Sequence, residues 1–364
     1  MLVLIVLLVI FGLAVLFSSS EYNGRVRFGD SACYFKKQLF ATALGMGVMY
    51  MVSSIDYHFF LRLGPVAYLI SMFLSGAVLF VGQEINGSKR WLNLGPLSFQ
   101  PSEFAKVAVI LFLAWQIERT KKATMGFGFM CRTILTLLPI IGLVGSNNLS
   151  TAIIVMAITV LLLFLVHPKT KRFVVFACVV LVLAVIVVVY LKIQISDMAT
   201  STDFRMRRII AWLNPEANSD KDSYQFLQGL YAIGSGGFFG KGLGNSTQKL
   251  SAIPEAQNDM ILTVICEELG VFGAILILCL FGFMLYRLMF IARNAPDLYG
   301  SLIAAGIFSH IALQVILNIA VVTGLIPTTG VTLPFISYGG TAVVFLLAEM
   351  GIALGISSKI ELKD

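Results

Sequence analysis

Apolar residues in this chain come in long, nearly unbroken blocks, without the alternation of a half-buried strand or the one-sided spacing of a helix on a soluble protein. A helix needs roughly 17–25 mostly apolar residues to cross a bilayer. Blocks of that kind fall near 1–17, 38–54, 64–82, 102–117, 129–145, 149–166, 172–193, 259–290, 298–323 and 338–357. Lipid offers the backbone no hydrogen-bond partners, so each block is predicted to be helical. The pattern predicts an all-α polytopic membrane protein, a single membrane domain over 1–364 with about ten transmembrane helices. Between spans 7 and 8 it leaves a large loop over 194–258.

The first block begins at Met1 without a basic lead-in and is followed by SSSEYNGRVRFGD, which favours a retained span over a cleaved leader. Lys and Arg then set the orientation. Arg62, Arg119, Arg132, Lys169, Lys171, Arg287, Arg293 and Lys359 fall in short connections on one side; the other short connections hold Arg25, Arg27, Lys36, Lys37, Lys89 and Arg90. Both termini are therefore expected to be cytoplasmic and the 194–258 loop extracytoplasmic. A content of 58% hydrophobic and 12% charged residues excludes a soluble domain. The five cysteines lack any pairing spacing, and His58, His167 and His310 stand on separate segments, so neither a disulfide framework nor a histidine metal centre is expected.

Three outer segments break the apolar pattern. The first is 81–106. The second, 194–258, opens with FRMRRIIAWLNP, where Arg205, Arg208 and Trp212 recur at helical spacing as in an interfacial amphipathic helix, and Pro215 ends it. It continues into the glycine-dense GSGGFFGKGLG. The third, 324–340, combines Pro327 and Pro334 with glycines. Irregular backbone beside a membrane survives only when buried in protein or lining a cavity, so the three are expected to roof one cavity.

Candidate chemistry lies in these segments. In QPSEFAK, Pro101 suits the first helical position, Glu103 the first turn, and Lys106 shares the face of Glu103 inside an apolar span. An ionisable residue there is a functional candidate, with a snorkelling lysine as the structural alternative. Lys89, Arg90 and Trp91 read either as an interfacial anchor or, given the nearby pair, as groups that accept a phosphate and stack on a sugar. GSGGFFGKGLG is not a nucleotide loop, because Ser235 and Gly242 stand where the motif requires glycine and a hydroxyl residue. In IPEAQNDMILTVICEELG, Glu255 and Asp259 precede an apolar run. Asn258 or Asp259 is a candidate helix cap, although the second acid exceeds what a cap requires. Glu267 and Glu268, roughly 12 Å deeper and on another face, are assigned to helix packing.

Together, GSKRWLNLGPLSFQPSEFAK, GSGGFFGKGLGNSTQKL, IPEAQNDMILTVICEELG and GLIPTTGVTLPFISYGGTA resemble, in order and over nearly the whole chain, the signature segments of the SEDS family (shape, elongation, division, sporulation), most closely its FtsW/SpoVE branch. The resemblance implies a multi-pass peptidoglycan glycosyltransferase of the bacterial inner membrane, polymerising lipid II on the outer face during division or sporulation septum synthesis. It implies a class B penicillin-binding protein and other divisome proteins as partners, within membrane lipid, and no nucleic acid. The family's catalytic aspartate matches Asp259, and its functional Glu, Lys and Trp match Glu103, Lys106 and Trp91. On this reading Asp259 is a base, or orients a water or a divalent cation. Lys106, Arg90 and Lys89 neutralise the leaving diphosphate, with Glu255 and Trp91 beside them. Two departures stand out: Gln257-Asn258 replaces a common His-Thr, and Asn148-Leu149-Ser150-Thr151 replaces Asp-Leu-Gly-Thr. A flippase for the lipid-linked precursor, or a scaffold for the penicillin-binding partner, would draw on the same charged cavity without chemistry.

Overall fold

The computed structural model describes residues 1–85, 88–94, 97–120, 126–167, 204–215, 221–250, 253 and 256–361, with scattered positions between 171 and 190. Its helices are α1 (Leu2–Phe28), α2 (Cys33–Ser54), α3 (Phe59–Val81), α4 (Pro101–Glu118), α5 (Phe127–Asn147), α6 (Leu149–Val166), α7 (Phe204–Leu213), α8 (Lys221–Ser235), α9 (Ile261–Asn294), α10 (Leu298–Val322) and α11 (Thr341–Ser357). Nine of the ten expected blocks coincide with these helices. The seventh, 172–193, lies largely outside the described residues, and its described positions are helical. By length and composition, six described helices are long and apolar enough to cross a membrane: α1, α3, α5, α6, α9 and α10. Helix α4 carries Glu103, Lys106 and Glu118, yet almost all of it is buried among other helices, so its charges need not face lipid.

One element departs from the all-α expectation. Between α3 and α4 the chain forms an antiparallel meander of β1 (Gln83–Ile85), β2 (Ser88–Leu94) and β3 (Leu97–Phe99). Register pairs Gln83 with Trp91 and Leu92 with Phe99. The connecting dipeptides Asn86-Gly87 and Gly95-Pro96 are turn formers by sequence.

Connections that strict span alternation assigns to one side gather at one end of the bundle. Asn147 Nδ2 donates to the Lys89 carbonyl (2.7 Å), Ser150 Oγ to that of Thr329 (2.7 Å), Thr341 Oγ1 to that of Ser98 (2.8 Å), and Trp212 Nε1 to that of Gly324 (2.7 Å). At the opposite end, the Tyr57 hydroxyl donates to Asp297 (2.6 Å) and His58 also reaches Asp297 (2.8 Å).

Helix α9 is broken at Gly270, whose φ of 69° and ψ of −167° leave the helical region. The glycine-dense loop repairs the break. Lys241 and Gly242 N–H groups donate to the carbonyls of Glu267 and Glu268 (2.9 Å each), while Val271 and Phe272 N–H groups donate to the carbonyls of Gly237 and Phe238 (3.1 Å each). Backbone approaches this closely only because Gly240 and Gly270 have no Cβ. The side chains of Glu267 and Glu268 complete the joint. Glu267 accepts from Lys241 (2.6 Å), Thr247 and Ser246, and Glu268 accepts from Lys249 (2.6 Å) and Ser18 of α1 (2.7 Å). The sequence assigned these two acids to helix packing; they also anchor the loop, because a carboxylate in an apolar helix must find donors and the loop supplies them.

The opposite end contains a titratable clasp, in which His58 joins Asp56 through Nδ1 (2.7 Å) and Asp297 through Nε2 (2.8 Å). Desolvation disfavours the imidazolium, but the hydrogen bonds and charges of the two carboxylates outweigh it and hold the His58 pKa above its ordinary 6.5. A raised folded-state pKa gives stability that is fully present below 6.5 and lost as pH rises through the folded value. Thermal unfolding of the detergent-solubilised protein is therefore expected to shift to lower temperature as pH climbs above 6.5, with a flatter profile for His58→Gln. Equal slopes for the two proteins would count against the clasp.

Candidate functional site

Helix α4 starts with Pro101 at its first position, after an extended Gln100, and places Glu103 in the first turn. One turn on, Lys106 Nζ lies 2.9 Å from Glu103 Oε2, with side chains 1% and 9% exposed. The pair expected from i,i+3 spacing is therefore formed and buried, which does not fit a snorkelling lysine.

Helices α4 and α10 run antiparallel, and Gly306 of α10 lets Ile110 of α4 approach so closely that a Cβ there would meet its Cγ2 at 2.6 Å. Four residues nearer the meander end on each helix come Lys106 and His310, so these two fall at a similar level of the two helices. His310 Nδ1 meets Glu349 Oε2 of α11 at 2.8 Å, with both side chains buried. Two acid–base pairs thus occupy neighbouring seams of α4, α10 and α11. Sequence reasoning missed the second pair by treating His310 as alone; the available signal was Glu349, an acid in an apolar span that requires a partner.

Gln314 and Asn318 continue from His310 toward the C-terminal end of α10 at four-residue spacing, and both are buried. Asn318 Nδ2 donates to the carbonyls of Asp259 and Val331, at 2.8 Å each. The His310 and Asn318 levels are about 12 Å apart along the helix. The lysine side chain leans toward the N-terminus of its own helix, where Glu103 meets it in the first turn.

Asp259 is not the cap of α9. The helix begins at Ile261 after Met260, and no side chain caps it. Asp259 lies instead in the turn over 256–260, partly exposed, near Gly330 of the 324–340 segment: a Cβ on Gly330 would stand 3.9 Å from Asp259 Oδ2. Glu255 lies outside the described residues.

Arg90 Nε donates to the Asn147 carbonyl (2.7 Å), and Asn147 in turn donates to the backbone of Lys89, which pins β2 to the end of α5. Lys89 and Arg90 border a small cleft with Pro101 and Ser102 at the start of α4. Arg90 also borders a larger cavity of about 330 Å³, shared with Arg208, Thr328 and Thr329 and walled by Leu149, Ile153 and Ile326. Two arginines therefore border one largely apolar hollow. Arg208 was legible as part of an amphipathic helix, but its place on the same cavity as Arg90 was not. Trp91 is half-buried in β2 opposite Gln83. Among the described residues, neither Lys106, Asp259 nor Trp91 lines the larger cavity. At the departure Asn148-Leu149-Ser150-Thr151, Asn148 caps α6 by accepting from the Thr151 N–H (3.2 Å). Among the described residues, no three His, Cys, Asp or Glu side chains gather as a metal site.

A helical bundle with several membrane-length apolar helices, buried acid–base pairs and an apolar cavity bordered by two arginines defines a multi-pass membrane protein. Residues 1–361 match the cell cycle protein family of FtsW, RodA and SpoVE, and the chain belongs to that family. It is similar to stage V sporulation protein E of Bacillus subtilis, 37% identical over 98% of this chain and 95% of that protein. Similarity extends to the probable peptidoglycan glycosyltransferase FtsW of Trichlorobacter lovleyi, at 34% identity over 100% of this chain and 93% of that protein. Among solved structures it resembles a chain of a peptidoglycan synthase complex (TM-score 0.76, 27% identity, 97% and 96% of the two chains). It also resembles the rod shape determining protein RodA of Thermus thermophilus (TM-score 0.70, 25% identity, 100% and 97%).

Breaking a buried ion pair by removing one partner strands the other charge and typically costs about 3–5 kcal/mol, whereas removing both costs much less. Glu103→Leu and Lys106→Met are each expected to destabilise the protein by about 3–5 kcal/mol, and the double variant to recover most of the loss. Unfolding of the four proteins in detergent checks this, and additive losses would show that the pair is not coupled.

Proposed function

We propose that this chain is a peptidoglycan glycosyltransferase that polymerises lipid II into glycan strands on the outer face of the bacterial cytoplasmic membrane, during division or sporulation septum synthesis. The names of its relatives support the activity. The observation that carries it in this chain is the largely apolar cavity that Arg90 and Arg208 border. A diphosphate joined to a polyprenyl chain calls for that combination of positive charge and hydrocarbon. Both termini are cytoplasmic, which places the cavity, the meander and the 194–258 loop outside. The productive assembly includes a class B penicillin-binding protein, which crosslinks the new strand, together with other divisome proteins.

In the reaction a sugar hydroxyl of one lipid-linked disaccharide attacks the anomeric carbon of another. A carbon–oxygen bond forms, the bond to the diphosphate breaks, and the hydroxyl proton passes to a base. Asp259 is assigned as that base. Arg90, Arg208 and Lys89 take up charge on the departing diphosphate. Lys106, oriented by Glu103, adds positive charge from the α4 side. Trp91 offers an aromatic face to a sugar, and Glu255, four residues before Asp259, is assigned to the acceptor disaccharide.

Purified protein supplied with lipid II is expected to make glycan chains, and Asp259→Asn to lower the rate at least about 100-fold while remaining folded and bound to its penicillin-binding partner. Arg90→Gln and Arg208→Gln are expected to raise KM by roughly tenfold, the effect of losing about 1.4 kcal/mol of binding. A fully active Asp259→Asn variant would defeat the assignment. Transfer of labelled lipid II between leaflets without polymer formation would replace polymerisation with transport.

A further inference from the structure

The acid assigned as base sits on a turn, where no helix fixes it. Its side-chain direction depends on how the 256–260 backbone is held. Within that turn, Asp259 offers its carbonyl to Asn318 Nδ2 (2.8 Å), and the same amide nitrogen donates to the Val331 carbonyl (2.8 Å). Asn318 is fully buried, and its Oδ1 has no partner among the described residues. Its side-chain hydrogen bonds among the described residues are thus the two donations to these carbonyls. Val331 lines the cavity that holds Arg90 and Arg208, and Gly330 beside it lies near Asp259 Oδ2. A single side chain therefore ties the backbone of the acid to the cavity wall. The tie stands on α10 beyond Gln314 and His310 toward its C-terminal end, and His310 is itself braced by Glu349.

We infer that Asn318 is a positioning residue for Asp259, fixing the distance between the base and the cavity; this rests on the reading of Asp259 as the base. Both amide protons are committed to carbonyls of other elements, so Asn318 stabilises a relation between two segments and not its own helix. A displacement of about 1 Å in a reacting group is enough to cost on the order of 100-fold in rate. The loss should therefore fall on kcat and leave substrate affinity almost unchanged.

The test compares lipid II polymerisation by full-length wild type, Asn318→Leu, Asn318→Asp, Asn318→Gln and Asp259→Asn, each normalised to the monodisperse fraction in detergent. Asn318→Leu and Asn318→Asp, which remove the donors at similar volume, are expected to lower kcat per folded molecule about 10- to 100-fold with KM within about twofold. Asn318→Gln keeps the amide and is expected to recover part of the rate. Wild-type kcat per folded molecule in both donorless variants, or a loss confined to KM or to the folded fraction, overturns the positioning role while Asp259→Asn remains inactive. Activity in Asp259→Asn overturns the underlying assignment instead.

Discussion

A charge that cannot reach water must be met by an opposite charge, and the Glu103–Lys106 pair places that demand at the centre of the molecule. Exposed to hydrocarbon, either group would carry a heavy penalty, so α4 has to be wrapped on all sides. Its neighbours α3, α6, α10 and α11 provide the wrapping, and the close Gly306–Ile110 approach shows how tightly one of them is drawn in. The surrounding helices thereby shield the two charges that this largely apolar helix carries near its start. The same enclosure holds Lys106 and His310 among the buried side chains of α4 and α10.

Polar chemistry then rises toward one end in steps. His310 with Glu349, then Gln314, then Asn318 form a stripe along α10 that ends at the Asp259 turn. Beside it, Arg90 is held by Asn147, and Arg208 comes in on α7, so cations from distant parts of the sequence border one hollow. Separation of acid and guanidinium groups suits a reaction in which a proton leaves one partner and negative charge gathers on the other.

What the sequence made legible divides along physical lines. Spans were readable because lipid forces every backbone group into helical hydrogen bonds, leaving length and apolarity as the signal. Glu103–Lys106 was readable because three-residue spacing on a helix is a local geometry. Contacts between distant segments were not: His310 and Glu349 are 39 residues apart, and Asn318 and Asp259 are 59 apart. The β meander escaped because its strands are three to seven residues long, too short for a periodic signal beside an apolar span. The capping role considered for Asp259 failed because α9 begins one residue later than that role requires, with Met260 at the cap position. Conversely, Asn148 at the start of α6 turned out to be a structural cap where the family pattern carries an acid.

The break at Gly270 bears on how the protein is made. Helix α9 enters the membrane with backbone groups that its own turns cannot satisfy, and the segment that satisfies them, 237–242, has already been synthesised by then. The preceding loop acts as an intramolecular template waiting for the span, so insertion of α9 and docking of the loop become a single assembly event. Biogenesis of this region is therefore cooperative, and a ribosome-bound chain halted within α9 would carry an unfinished joint whose cost is relieved only when the residues after Gly270 emerge.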